Sequence, residues 1–198
     1  MTRARVQFEG RPVWAEVSLG ALVHNLRVVR RHIGPGRKIL AIVKANAYGH
    51  GAVSVARALA KADADWFGVT CPAEGAELRE SGIRQPILVL TGFWPGEERS
   101  LLEYRLTPAI TGTEQLRYLE RAVASRRRSR NSSRKPFGVH LKVETGMNRL
   151  GVPAQDIAKF VAALAACTHL RLEGTFTHFA SAEDFTTDQT EQQEAVFQ

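Results

Sequence analysis

Cysteine, methionine and tyrosine are scarce in this chain of 198 residues, at two, two and three. Cys71 and Cys167 lie far apart and form no metal-ligand spacing, so no metal is expected. They read instead as buried, reduced thiols of a cytoplasmic protein. No apolar run approaches the ~20 residues that cross a bilayer, so no membrane partner is expected. The basic start, MTRARVQFEGRPVW, lacks the apolar stretch of a secretory signal. Also missing are G-x-G-x-x-G and the Walker loop, which mark dinucleotide and nucleoside-triphosphate folds.

The formal net charge of +7 raises the possibility of a nucleic-acid partner. The distribution of that charge argues against it. Arg126, Arg127, Arg128, Arg130, Arg134 and Lys135 sit in one segment, SRRRSRNSSRKP, and removing these six leaves a net charge of +1. With serines, an asparagine, a closing proline and no aromatic residue, Ser125–Lys135 is expected to be a solvated connecting loop with no specific nucleic-acid partner.

What is present is an alternation. Residues 1–17 read as a tail and a first strand over Pro12–Val17, and residues 18–198 as one domain. Ser18 stands where a helix N-cap belongs, ahead of Leu19, Leu22, Leu26, Val29 and Ile33 at helical spacing. Gly34 and Pro35 stop that helix. Further apolar runs at Ile39–Val43, Trp66–Thr70, Pro86–Leu90, Thr107–Ile110, Val139–Val143 and Leu172–Thr177 predict strands. Helical stretches at Ala52–Lys61, Ala73–Ser81, Thr113–Ser125 and Ala154–Ala166 separate them. This pattern predicts an α/β protein with a parallel sheet covered by helices, either an open doubly wound sheet or a barrel.

The barrel is favoured because chemically capable residues follow the strand ends: Lys44, Asn46 and Tyr48 after one, Thr145 and Arg149 after another, His178 after a third. In a (β/α)8 barrel those ends converge on one face, whereas an open sheet spreads them along an edge. About six barrel strands are found where closure needs eight. TDQTEQQEAVFQ reads as a helix still under way at Gln198, so the chain is expected to be part of a larger protein.

Three clusters carry the chemistry. In KANAYGHG, a lysine at the mouth of an apolar strand is open to desolvation, which lowers an amine's pKa and frees it to attack a carbonyl. Alone, such a lysine is more often solvated structure. In HLKVETGMNRLGV, Arg149 supplies a planar, permanently charged anion reader beyond a strand. Lys142, inside the same strand, needs a partner or a modification, and Glu144 is the simple partner. His178 lies in GTFTHFASAED, while His50 and His140 read as structural.

AIVKANAYGHG resembles the cofactor-attachment signature of the alanine racemase family, and the other two clusters are similar to its LKVDTGM-x-R-x-G and T-H-F-A segments, in the family's order. The resemblance implies the pyridoxal 5'-phosphate barrel domain of a fold-type III enzyme, lacking the family's C-terminal β-domain. It implies Lys44 as cofactor anchor and one of two catalytic bases, and Tyr48 as holder of the phosphate. Arg149 would bind the phenolic oxygen and place the substrate carboxylate. Lys142, carbamylated in some members, would orient Arg149, and the choice between carbamate and salt bridge stays open. His178 would support the group facing the pyridine nitrogen. The implied activity is interconversion of L-alanine and D-alanine, supplying D-alanine for peptidoglycan, by a cytoplasmic homodimer once complete. Alternatives are a non-catalytic cofactor-binding barrel or a serine, lysine or broad-specificity racemase. Glu144 replaces the usual aspartate, and Asn148 a commonly small residue. The family's second base is a downstream tyrosine, whereas Tyr104 and Tyr118 fall in unmatched helical stretches.

Overall fold

Ser18 begins the first helix as the spacing predicts: its hydroxyl accepts the Ala21 N–H at 3.2 Å. The helix, α1, spans Leu19–Ile33 and ends at Gly34, whose φ of 73° suits glycine. Its apolar face is only partly covered, with Leu26 buried but Leu19 and Val29 exposed. The computed structural model describes residues 14–128 and 135–198. Pro12 and Val13 of the expected first strand fall outside these residues. Trp14–Val17 carry no strand, since no sheet edge pairs with them among the described residues.

The alternation then runs β1 (Leu40–Ile42), a short turn α2 (Lys44–Tyr48), α3 (Ala52–Lys61), β2 (Trp66–Val69), α4 (Pro72–Glu80), β3 (Ile87–Val89), α5 (Glu98–Glu103) and β4 (Thr107–Ile110). It continues with α6 (Thr113–Arg127), β5 (Phe137–Glu144), β6 (Val152–Pro153), a 3-10 turn over Ala154–Asp156, α7 (Ile157–Ala165), β7 (Leu170–Phe176) and α8 (Gln189–Phe197). Helix α6 extends past the expected loop boundary at Ser125, because Arg126 and Arg127 are good helix formers at the end the helix dipole favours for cations. Residues 129–134 of the basic segment lie outside the described residues.

All pairings are parallel, in the order β1-β2-β3-β4-β5, with β6 and β7 both on β5. Along the strands one alternate set faces the helices. Phe67, Val69, Ile87, Val89, Val139 and Leu141 pack with Val55, Leu59, Leu78, Leu116, Leu119 and Phe160. Each such side chain contributes ~1.5–3 kcal/mol by leaving water. The other set, Leu40, Ile42, Leu88, His140 and Lys142, faces the inside of the curved sheet. At Glu173, β7 carries one extra residue, so that Val139 pairs Leu172 but His140 pairs Gly174. Strands β1 and β7 do not pair with each other among the described residues, and the barrel is open at that seam.

Candidate active site at the carboxyl ends of the strands

Lys44 leaves β1 through a turn of unusual hand. Ala45, Asn46 and Ala47 have φ/ψ of 49/54°, 54/44° and 52/49°, and Tyr48 has φ 55°. These are left-handed helical values, which cost L-residues roughly 1–2 kcal/mol each. The turn nevertheless satisfies its backbone: Ala47 N donates to Val43 O at 2.9 Å and Gly49 N to Ala45 O at 3.0 Å. Asn46 Oδ1 accepts the Ala52 N–H at 2.7 Å, capping α3. Glu74 Oε1 accepts the Ala45 N–H at 2.7 Å. The turn brings the Tyr48 ring back to 5.8 Å from Lys44 Nζ.

The turn after β5 is built around Glu144. Its carboxylate accepts the Gly146 N–H at 2.6 Å and the Arg149 N–H at 3.3 Å. Burial would raise its pKa, but the Asn148, Gly146, Arg149 and Met147 amides together outweigh that and lower it. Glu144 is therefore spent on the turn that presents Arg149. No ion pair joins it to Lys142 among the described residues, which removes the simple partner expected from sequence. Gly151 closes the turn with φ 138° where the chain returns against the Glu144 backbone.

Lys44, Tyr48, Lys142, Arg149 and His178, the five residues singled out from sequence, all line one cavity of about 400 Å³. Its other walls include Leu40, Ile42, Leu88, Leu90, Thr91 and Phe176. Among the described residues three cations line it and no carboxylate does. Lys142 is 5% exposed, and its pKa is lowered by burial and then by Arg149 and Lys44, with Glu144 opposing. His178 is lowered by burial and then by Lys142, Arg149 and Lys44. Such a cavity attracts an anion, and its volume and donor set suit a phosphorylated cofactor.

Sequence reasoning missed three contributors. His140, read as structural, also lines the cavity, with its ring 5.4 Å from that of Trp66. Gln193 of α8, 2% exposed, donates to Thr145 Oγ1 at 3.1 Å and His178 O at 3.0 Å, and accepts the Ala180 N–H at 2.9 Å. Glu74, the third, sits in the first turn of α4, and its only sequence signal was a glutamate just after a helix-starting proline. The remaining tyrosines sit in the helical layer: Tyr104 donates to Glu80 Oε1 at 2.8 Å, and Tyr118 packs against the core.

Residues 17–198 match the family described as "Alanine racemase, N-terminal domain". The chain is 45% identical over 181 residues to the alanine racemase of Geobacter sulfurreducens, covering 91% of this chain and 45% of that protein. With the alanine racemase of Synechocystis sp. the identity is 40% over 185 residues, covering 93% of this chain and 48% of the relative. Among solved structures, an alanine racemase of Clostridium difficile 630 in complex with cycloserine superposes with a TM-score of 0.87 at 31% identity, over 96% of this chain and 50% of that one. That of Bacillus anthracis with bound L-Ala-P gives 0.82 at 30% identity, over 96% and 48%. The chain spans about half the length of the curated relatives it matches.

Proposed function

Because this chain belongs to the alanine racemase family, through the N-terminal domain of its members, we propose that it is the cofactor-bearing domain, residues 18–198, of a racemase that interconverts L- and D-alanine with pyridoxal 5'-phosphate. The observation that carries this reading is the single cavity in which Lys44, Lys142 and Arg149 converge without a carboxylate. The cofactor, when bound, supplies the electron sink that makes a substrate α-hydrogen acidic.

The protein's own groups have distinct tasks. Lys44 Nζ would anchor the cofactor and would take or return the proton on one face. Tyr48 would hold the phosphate from the same turn. Arg149 would hold the phenolic oxygen of the cofactor and help place the substrate carboxylate with its fork of donors. Lys142 is buried with no carboxylate partner among the described residues, and a carbamate there would supply the anionic group that orients Arg149. His178, whose pKa is lowered by burial and then by its cationic neighbours, would support the group facing the pyridine nitrogen. The apolar walls exclude water from the proton transfers. The base for the opposite face would be the family's tyrosine, which is not among these residues, in a cytoplasmic homodimer that would supply D-alanine for peptidoglycan.

The test is covalent. The protein is incubated with pyridoxal phosphate, reduced with borohydride and mapped by peptide mass. Label is expected on Lys44 and lost in Lys44→Arg. A label on a different lysine, or none, would overturn the reading.

A further inference from the structure

Glu74 stands at the third position of α4, behind Pro72, where the helix's amino end favours a carboxylate. It does more than cap its own helix. Oε2 accepts the Thr70 N–H at 2.6 Å, and Oε1 accepts the Ala45 N–H at 2.7 Å, so one side chain ties the end of β2 to the chain leaving β1. The same device recurs further round the barrel. Gln115 of α6 accepts the Thr111 N–H at 2.8 Å and donates to Phe93 O at 3.2 Å, joining the ends of β3 and β4.

Only the Glu74 bridge reaches the residue next to Lys44. Ala45 is the first residue of the left-handed turn, and its N–H belongs to the peptide plane that Lys44 shares. Holding that plane sets the backbone direction from which the lysine side chain leaves. The turn opposes its own hand at four successive non-glycine residues, Ala45 to Tyr48, so it needs an outside anchor. A charged acceptor on a backbone amide is among the stronger ones. If the amide is released, the turn relaxes, and Lys44 and Tyr48 separate.

We propose that Glu74 is a positioning residue: its carboxylate holds the left-handed turn that aims Lys44 and Tyr48 into the cavity, and capture of the cofactor depends on it. This rests on Lys44 being the attachment site, as proposed above.

The experiment compares four versions of the chain: natural, Glu74→Gln, Gln115→Ala, and Glu74→Gln combined with Ala45→Gly. Pyridoxal phosphate affinity is read by equilibrium dialysis, borohydride labelling at Lys44 by peptide mass, and folding by thermal melting. Glu74→Gln is nearly isosteric but sets an NH2 against one of the two amides, so a loss of about tenfold or more in affinity and labelling is expected, the scale of one charge-assisted hydrogen bond. Gln115→Ala breaks the sister bridge, so it should melt lower while keeping its affinity. Adding Ala45→Gly removes the penalty for the left-handed first residue and should recover roughly fivefold. Equal affinity in Glu74→Gln and the natural chain would overturn the proposal. So would parallel losses in Glu74→Gln and Gln115→Ala, or a loss or unfolding that Ala45→Gly does not relieve. No label on Lys44 in the natural chain is a separate result that removes the cofactor reading itself, and this one with it.

Discussion

His178 shows how much a neighbourhood alters a residue that sequence could only nominate. As an isolated imidazole it would titrate near 6.5, but burial and then repulsion from Lys142, Arg149 and Lys44 lower that value in the folded chain. The unfolded chain therefore binds the proton more readily. The stability that His178 contributes is complete above its unfolded pKa and is lost as pH falls from about 6.5 toward the folded value. His140 adds to the same trend through burial, with Glu173 opposing. Urea unfolding is thus expected to give a lower stability at pH 5 than at pH 7.5, with a smaller drop in His178→Asn. An equal drop in both would mean that the histidine is not held neutral. Lys142 teaches the complementary lesson. Its burial was legible in the strand pattern, but its relation to Glu144 was not, because the turn amides that claim the carboxylate lie two to five residues further along.

At the scale of elements, runs with a clear apolar pattern were legible and a few very short pieces were not. Helix α3 and strand β4 match their expected spans, since each combines a clear apolar pattern with a glycine, threonine or proline boundary. Helix α5 and strand β6 went unseen: six and two residues carry too little periodicity to register. The hand of α2 was equally hidden, because Ala-Asn-Ala-Tyr has no local preference for it beyond the asparagine. The β5–β6 return offers a sharp prediction. A Cβ on Gly151 would lie 2.8 Å from Glu144 N and 3.0 Å from Val143 C, backbone atoms that cannot swing aside, and its φ is 138°. Gly34, with φ 73°, has nothing within 4 Å of the same atom. Gly151→Ala should therefore cost about 3 kcal/mol and disturb the Arg149 turn, while Gly34→Ala should cost about 1 kcal/mol. Chemical denaturation of the two variants measures both, and equal costs would refute the steric argument.

Across the whole molecule the open seam between β1 and β7 governs behaviour. Among the described residues neither edge strand is paired along its outer side, and Ile42 and Leu172 are exposed beside them. The 198-residue polypeptide is expected to associate with rising concentration, which sedimentation velocity would register. Its only tyrosine in the cavity, Tyr48, shares a turn with Lys44. It therefore offers no base for the opposite face, and D-alanine formation from L-alanine should be lower by about 10²–10⁴-fold or more than in an ordinary racemase. Turnover near an ordinary racemase's would show that a second base lies within these residues. The sequence by itself determined the parallel α/β order, because strand and helix periods are local, and it put Lys44, Tyr48, Arg149 and His178 after strand ends that have one face to share. The tertiary structure alone decided that Glu144 serves a turn, that Glu74 and Gln193 bridge strand ends, and that the lysine's turn is left-handed. Each depends on hydrogen-bond partners from other elements or on a backbone hand that local preference opposes, and a periodic pattern carries neither.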